Sequence, residues 1–197
     1  NGHIIRWKEK GGQAGTSFEW DVYLFGARED GKQSENLSGL TAVNDFSSPD
    51  GLYFDQRNGQ TDGLLWIQTD DGAYTDVTNC MMLAALPGHV GDGGKIKTRE
   101  GQETIMGAKP TDANVRRFLV GPFDCEITGV VVTPDGKTLF FNVQHPGEDK
   151  GDFTTNTFTS HWPGNQAPAS DALHHGHKRP RSATVVVTRT DGGTIGI

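Results

Sequence analysis

Apolar residues fall in short runs separated by long polar stretches, and no run keeps the 3.6-residue spacing of an amphipathic helix. The runs are rich in β-branched and aromatic residues, which suits strands. Residues 3–9 (HIIRWKE) and 17–25 (SFEWDVYLF) read as strands, the second with period-two alternation. Further strands are predicted at 48–55, 64–72, 80–86, 116–120 and 182–188, with a weaker one at 103–106. Long loops are expected over 26–47, 87–114 and 146–181. The densest signal is residues 115–148, where Val130-Val131-Val132 and Leu139-Phe140-Phe141 flank Thr133-Pro134-Asp135-Gly136. Proline presets φ, aspartate tolerates the tight bend and glycine supplies positive φ, so this is a β-hairpin. In an antiparallel hairpin the start of one strand lies beside the end of the next. Glu126 and His145 are therefore expected at the same end of the sheet, opposite the turn.

The pattern repeats faintly. One unit runs DGLYFD, LLWIQTDDG, MMLAAL, VRRFLV; the other runs EITGVVVT, TLFFNVQHPG, SATVVVT. Asp50 and Glu126 then open equivalent strands, 76 positions apart, while Asp70 and His145 close the strands that follow. Successive antiparallel strands returning to the same start are the grammar of a propeller blade. The fold class expected is all-β, antiparallel blades of a β-propeller, read as one unit over 1–197. Two units close no ring, so the chain reads as a partial propeller or a different all-β fold.

Composition sharpens this. The chain has 197 residues, 34% of them apolar, and 27 glycines, which suits strands joined by long polar loops. A formal charge of −7 argues against nucleic acid or an anionic membrane as partner, although bound cations can reverse a local field. No run approaches the ~20 apolar residues of a membrane helix. The opening Asn1-Gly2-His3 shows no signal peptide and reads as a mature or truncated start. Cys80 and Cys125 either pair or remain thiols. There is no GxSxG elbow, Walker loop, HExxH or dinucleotide fingerprint.

Acids recurring at strand entries would surround one axial site with oxygen donors, which is what calcium requires. Glu126 has no local need to be acidic beside an apolar strand, so it is a candidate ligand. Asp50 reads equally as ligand or turn residue, and Asp135 as a turn residue. His145 suits a metal, a phosphate or a structural role. The 146–181 loop holds His161 and the tract His174-His175-Gly176-His177, which looks like a metal tract but lies in a polar, proline-containing loop and reads better as solvated residues. Cys125 reads as a soft metal ligand or, more commonly for cysteine, a buried strand residue.

The segments RRFLVGP (116–122), CEITG (125–129), TPDGKTLFFNVQHPGE (133–148) and RPRSATVVVTRTDGG (179–193) resemble the PhoX-type alkaline phosphatases. NGHIIRW, SPDGLYFD and LLWIQTDDG extend the resemblance upstream in the same order. It implies a six-bladed propeller carrying calcium and iron near its channel mouth, hydrolysis of phosphate esters, and export to the periplasm or beyond. By this resemblance Glu126 is a metal ligand and Asp50 a second, and the family's QHPG histidine falls on His145, which is the candidate for binding substrate. Members are far longer, so the resemblance covers a C-terminal portion, and the N-terminal blades, with further carboxylates and the iron-binding cysteine, would be its partners. Cys80 stands where the family more often has a polar residue, and no arginine lies within 121–125 to meet a phosphate. The expected function is thus a share of a metal-dependent phosphatase, inactive by itself and prone to self-association through open sheet edges. The alternatives are a calcium-stapled binding module and a lactonase-like calcium propeller.

Overall fold

The computed structural model describes residues 1–57, 63–70, 74, 76–148, 151–152, 154–155, 157–164 and 179–196. Eleven strands appear among them: β1 (His3–Lys10), β2 (Ser17–Phe25), β3 (Pro49–Asp55), β4 (Leu64–Thr69), β5 (Met81–Ala85), β6 (Gly94–Lys97), β7 (Glu103–Met106), β8 (Val115–Val120), β9 (Glu126–Val132), β10 (Thr138–Gln144) and β11 (Ala183–Thr188). They form three sheets, ordered β1-β2-β7-β6, β3-β4-β5-β8 and β11-β10-β9. No helix among the described residues is long and apolar enough to cross a membrane. The fold is all-β, and its sheets are open rather than closed on themselves.

The two predicted units reappear as the second and third sheets, each laid down in sequence order by antiparallel neighbours. The turn behaves as its residues require: Gly136 has φ of 70°, its N–H donates to Thr133 O, and the Thr133 hydroxyl donates to Asp135. Pro49-Asp50-Gly51, by contrast, is no turn. It lies inside β3, where the ladder slips between the Pro49–Thr69 and Leu52–Ile67 pairs, a bulge that contains Asp50.

The middle sheet explains why LLWI and MMLAA are unbroken apolar runs. Ile67, Met81, Leu83 and Ala85 enter a core shared with Ile4, Leu24, Ala27 and Phe46 of the first sheet and its following loop. Leu64, Trp66, Cys80 and Met82 enter a second core shared with Ile127, Leu139, Phe141 and Val143 of the third. A strand buried on both faces loses period-two alternation, because neither face meets water. Trp66 is fully buried and meets Phe118 edge-on, ring centroids 4.9 Å apart. Each fully buried Leu, Ile or Met contributes about 1.5–3 kcal/mol relative to exposure.

Residues 87–114 leave the middle sheet after β5 and re-enter it at β8, and on the way contribute β6 and β7 to the first sheet. β7 lies parallel to β2 through the Val22–Met106 pair. Arg6 fixes the start of this excursion: it donates to both oxygens of buried Asp21, to Asp92 at 2.9 Å, and to Pro87 O and His89 O. Asp92 also accepts from the N–H groups of His89 and Ala108, so the loop closes around one carboxylate.

Candidate functional site

Glu126 opens β9 and pairs with Gln144, the last residue of β10, so His145 stands beside it as the hairpin geometry requires. His145 Nε2 lies 3.6 Å from Glu126 Oε2, and Nδ1 lies 3.3 Å from Glu148 Oε1. That second approach lacks hydrogen-bond geometry, and Nδ1 is buried with no hydrogen-bond partner among the described residues. β3 packs beside β9. Asp50 enters from β3, and Asp70 follows the last residue of β4, its N–H donating to Ser48 O at 3.2 Å. Both are exposed, while the Glu126 side chain is only 10% exposed. Burial raises the Glu126 carboxyl above the usual range, and the charges of Asp70 and then Asp50 raise it further; His145 and the Thr128 hydroxyl oppose this. The charges of Asp70 and Asp50 thus reach Glu126 at the same end of two neighbouring sheets.

Three non-glycine residues have positive φ among those described: Ser48 (47°), Asp124 (49°) and His145 (36°). All three flank this acid group. Ser48 and Asp124 each sit two positions before an entry acid, so the 76-residue repeat extends to backbone torsion. Left-handed backbone costs a non-glycine residue about 1–3 kcal/mol and persists only where surrounding bonds hold it. Here they are specific: Ser48 N–H donates to Asn1 O, Gly147 N–H to Phe123 O and Asp124 O, His145 N–H to the Ser182 hydroxyl, and the Thr159 hydroxyl to Asp124. The loops on both sides of Glu126 are therefore pinned to each other.

Cys80 and Cys125 are buried behind the acids and are not joined in a disulfide. Burial above all, then Cys80 and the nearby acids, push the Cys125 thiol up to about 12. Gly121 makes their shared space available, since a methyl there would lie 2.6 Å from Cys125 Sγ and 2.7 Å from Ile127 Cδ1. His161 lies against Phe158, ring centroids 6.4 Å apart; His174, His175 and His177 lie outside the described residues.

Carboxylate oxygens suit a hard cation, and a cation would relieve the repulsion that raises Glu126. Yet among the described residues no three His, Cys, Asp or Glu side chains converge to hold an ion. The donors fit part of a metal shell, not a whole one. A cavity of about 420 Å³ lies at the opposite, turn end of the hairpin, lined by Tyr53, Arg57, Thr133, Asp135 and Thr194. Its arginine is already tied to Asp55 at 3.0 Å and to Ile195 O.

Sequence reasoning brought Glu126, Asp50 and His145 to one end. It did not single out Asp70, which is masked by the turn-like Thr69-Asp70-Asp71-Gly72 and visible only as the repeat partner of His145.

A comparison with curated proteins gave no match. Among solved structures the chain is similar to Pseudomonas fluorescens PhoX in complex with vanadate, a transition state analogue, with 33% identity and a TM-score of 0.69. That match covers 99% of this chain and 27% of the relative, so the chain spans about a quarter of its length. The family model for alkaline phosphatase PhoX matches residues 1–147. With three-quarters of its residues under that model and the same fold in a solved member, the chain belongs to the PhoX alkaline phosphatase family.

Proposed function

We propose that this chain is the C-terminal part of a PhoX-like metal-dependent phosphatase that hydrolyses phosphate esters, with Glu126 as a metal ligand and Asp50 as a second. The observation that carries the reading is the buried Glu126 carboxyl, raised by Asp70 and Asp50 at a strand entry held by left-handed backbone. A cation bound there, calcium or iron, would polarise the phosphoryl group and take up charge on the transferring oxygens. His145, 3.6 Å from Glu126 and 3.3 Å from Glu148, is placed at the substrate, where a protonated imidazole would donate to a phosphate oxygen. The vanadate bound by the solved relative suits phosphoryl chemistry in this family. The remaining ligands come from other blades of a longer chain, so the 197 residues alone are inactive. Export to the periplasm or beyond accompanies this reading.

The test is Glu126→Gln in the full-length protein. Metal content by elemental analysis and turnover of p-nitrophenyl phosphate fall together. Unchanged calcium and iron with full turnover would overturn the assignment. The incomplete donor set also favours a second reading, in which calcium only staples the sheets. That reading predicts calcium-dependent thermal stabilisation of a full-length chain that turns over no phosphate ester.

A further inference from the structure

The cavity of about 420 Å³ at the turn end of the hairpin is of the size that takes a small molecule. Its walls come from three places: the end of β3, the Thr133–Gly136 turn, and Thr194 in the segment after β11. These walls are fixed to one another. Ile195 N–H donates to Gly136 O at 2.9 Å, and a methyl on Gly136 would lie 2.7 Å from Thr194 Cγ2. Arg57 ties the third wall to the first, donating through Nε to Asp55 at 3.0 Å and through Nη2 to Ile195 O. The Phe54 ring is held against Gly63, where an added methyl would lie 2.3 Å from Cζ. The site is therefore formed before anything enters it.

Arg57 has a donor to spare. Its side chain is only 6% exposed, yet Nη1 is buried and has no hydrogen-bond partner among the described residues. A buried donor left unpaired has given up its bond to water for nothing, so a cavity beside it is a place for an acceptor. Charge decides which kind. Asp55 already neutralises the guanidinium, and Asp135 adds a second carboxylate to the lining. Asp135 stays ionised, because the Thr133 hydroxyl and the Lys137 N–H hold its carboxyl below the usual range. A lining with one cation and two carboxylates disfavours a phosphate or carboxylate ligand and admits a neutral oxygen.

The remaining groups narrow the class further. Asp135 receives the Thr133 hydroxyl at 2.6 Å and the Lys137 N–H at 3.1 Å, both on Oδ1, and Oδ2 accepts from neither. Phe54, half exposed, adds apolar ring surface beside these polar groups. A ligand that accepts from Arg57, donates to Asp135 and lays C–H surface on a ring is one that carries hydroxyls on a carbon ring.

We propose that this cavity binds a neutral sugar. Arg57 Nη1 donates to one of its oxygens, Asp135 Oδ2 accepts from a hydroxyl, and the Phe54 ring meets its C–H surface. The site is separate from the acids around Glu126, and the inference rests on neither the metal reading nor the phosphatase one.

The test is an amide-resolved NMR titration of the 197-residue chain with glucose, galactose and mannose in turn, and with inorganic phosphate at matched ionic strength. At least one sugar shifts the Thr133–Lys137 and Thr194 amides saturably, with a Kd on the order of millimolar, while phosphate leaves them in place. Asp135→Asn keeps the turn bonds at Oδ1 and weakens that binding about tenfold, the worth of one hydrogen bond to a charged group. Glu126→Gln binds the sugar as the wild type does. Saturation-transfer measurements on the full-length protein detect the same sugar. No saturable shift with any of the three sugars overturns the proposal, and so does wild-type affinity in Asp135→Asn. Saturable shifts with phosphate alone overturn it in favour of an anion site. Binding confined to the short chain, with none in the full-length protein, overturns it as well.

Discussion

Met82 and Leu83 are neighbours on β5 whose side chains leave the strand on opposite sides. In a sheet with one wet face, truncating one of them would be costly and the other nearly free. In the stack seen here both are fully buried, Leu83 in the core shared with the first sheet and Met82 in the core shared with the third. Removing a buried Leu or Met side chain to Ala costs about 2–5 kcal/mol, the lost transfer energy plus the cavity left behind. At about 2–4 °C per kcal/mol for a chain of this size, each substitution lowers the melting midpoint by roughly 4–20 °C. Urea unfolding followed by fluorescence reports the change, because Trp66 is buried between the middle and third sheets and senses loss of that packing. The slope with urea should stay unchanged, so that a shift in midpoint is a shift in stability. A cost below about 1 kcal/mol for either Met82→Ala or Leu83→Ala would mean that one face of β5 is open to water, and the stacking would be refuted.

In metal-free buffer, Glu126→Gln stabilises the chain at neutral pH, because it removes the charge that burial, Asp70 and Asp50 penalise. The sign follows from linkage: the folded carboxyl titrates above its unfolded value, so the native state holds more protons between the two, and stability falls as pH rises through the folded value. The gain over wild type, read from melting midpoints in EDTA, therefore disappears below the ordinary carboxylate range; a gain that persists there points to another cause. Cys125, with its thiol pushed up to about 12 and its side chain buried, resists iodoacetamide at pH 8 in the native chain and reacts once urea unfolds it. Rapid native alkylation by mass spectrometry contradicts that placement.

Most strands were legible because their composition is β-like and their boundaries are turn residues. The exception is β6, Gly94-Lys95-Ile96-Lys97, which has one apolar residue and no core face; it exists through its ladder to β7 and the Lys95–Glu103 pair at 2.6 Å. The expected loop 87–114 hid an exchange between sheets because such long-range pairing leaves no local pattern. At the site, Glu126 and His145 were readable from hairpin geometry alone. Asp50 was readable only through the repeat, since Pro-Asp-Gly imitates a turn that the chain does not make. The left-handed residues were invisible: serine and aspartate are ordinary loop residues, and only the surrounding bonds force the torsion.

The excursion between β5 and β8 also governs how the molecule comes apart. Its two ends are anchored in adjacent strands of the middle sheet, while its centre is hydrogen-bonded to the first sheet and knotted around Arg6. Peeling the β1–β2 hairpin away drags β7 with it and pulls on β5 and β8 together, so the two sheets fail as one cooperative body. A protease nick at the exposed tip, Arg99–Gly101, leaves each half held by its own ladder or loop bonds, and the clasp outlasts the covalent chain that made it.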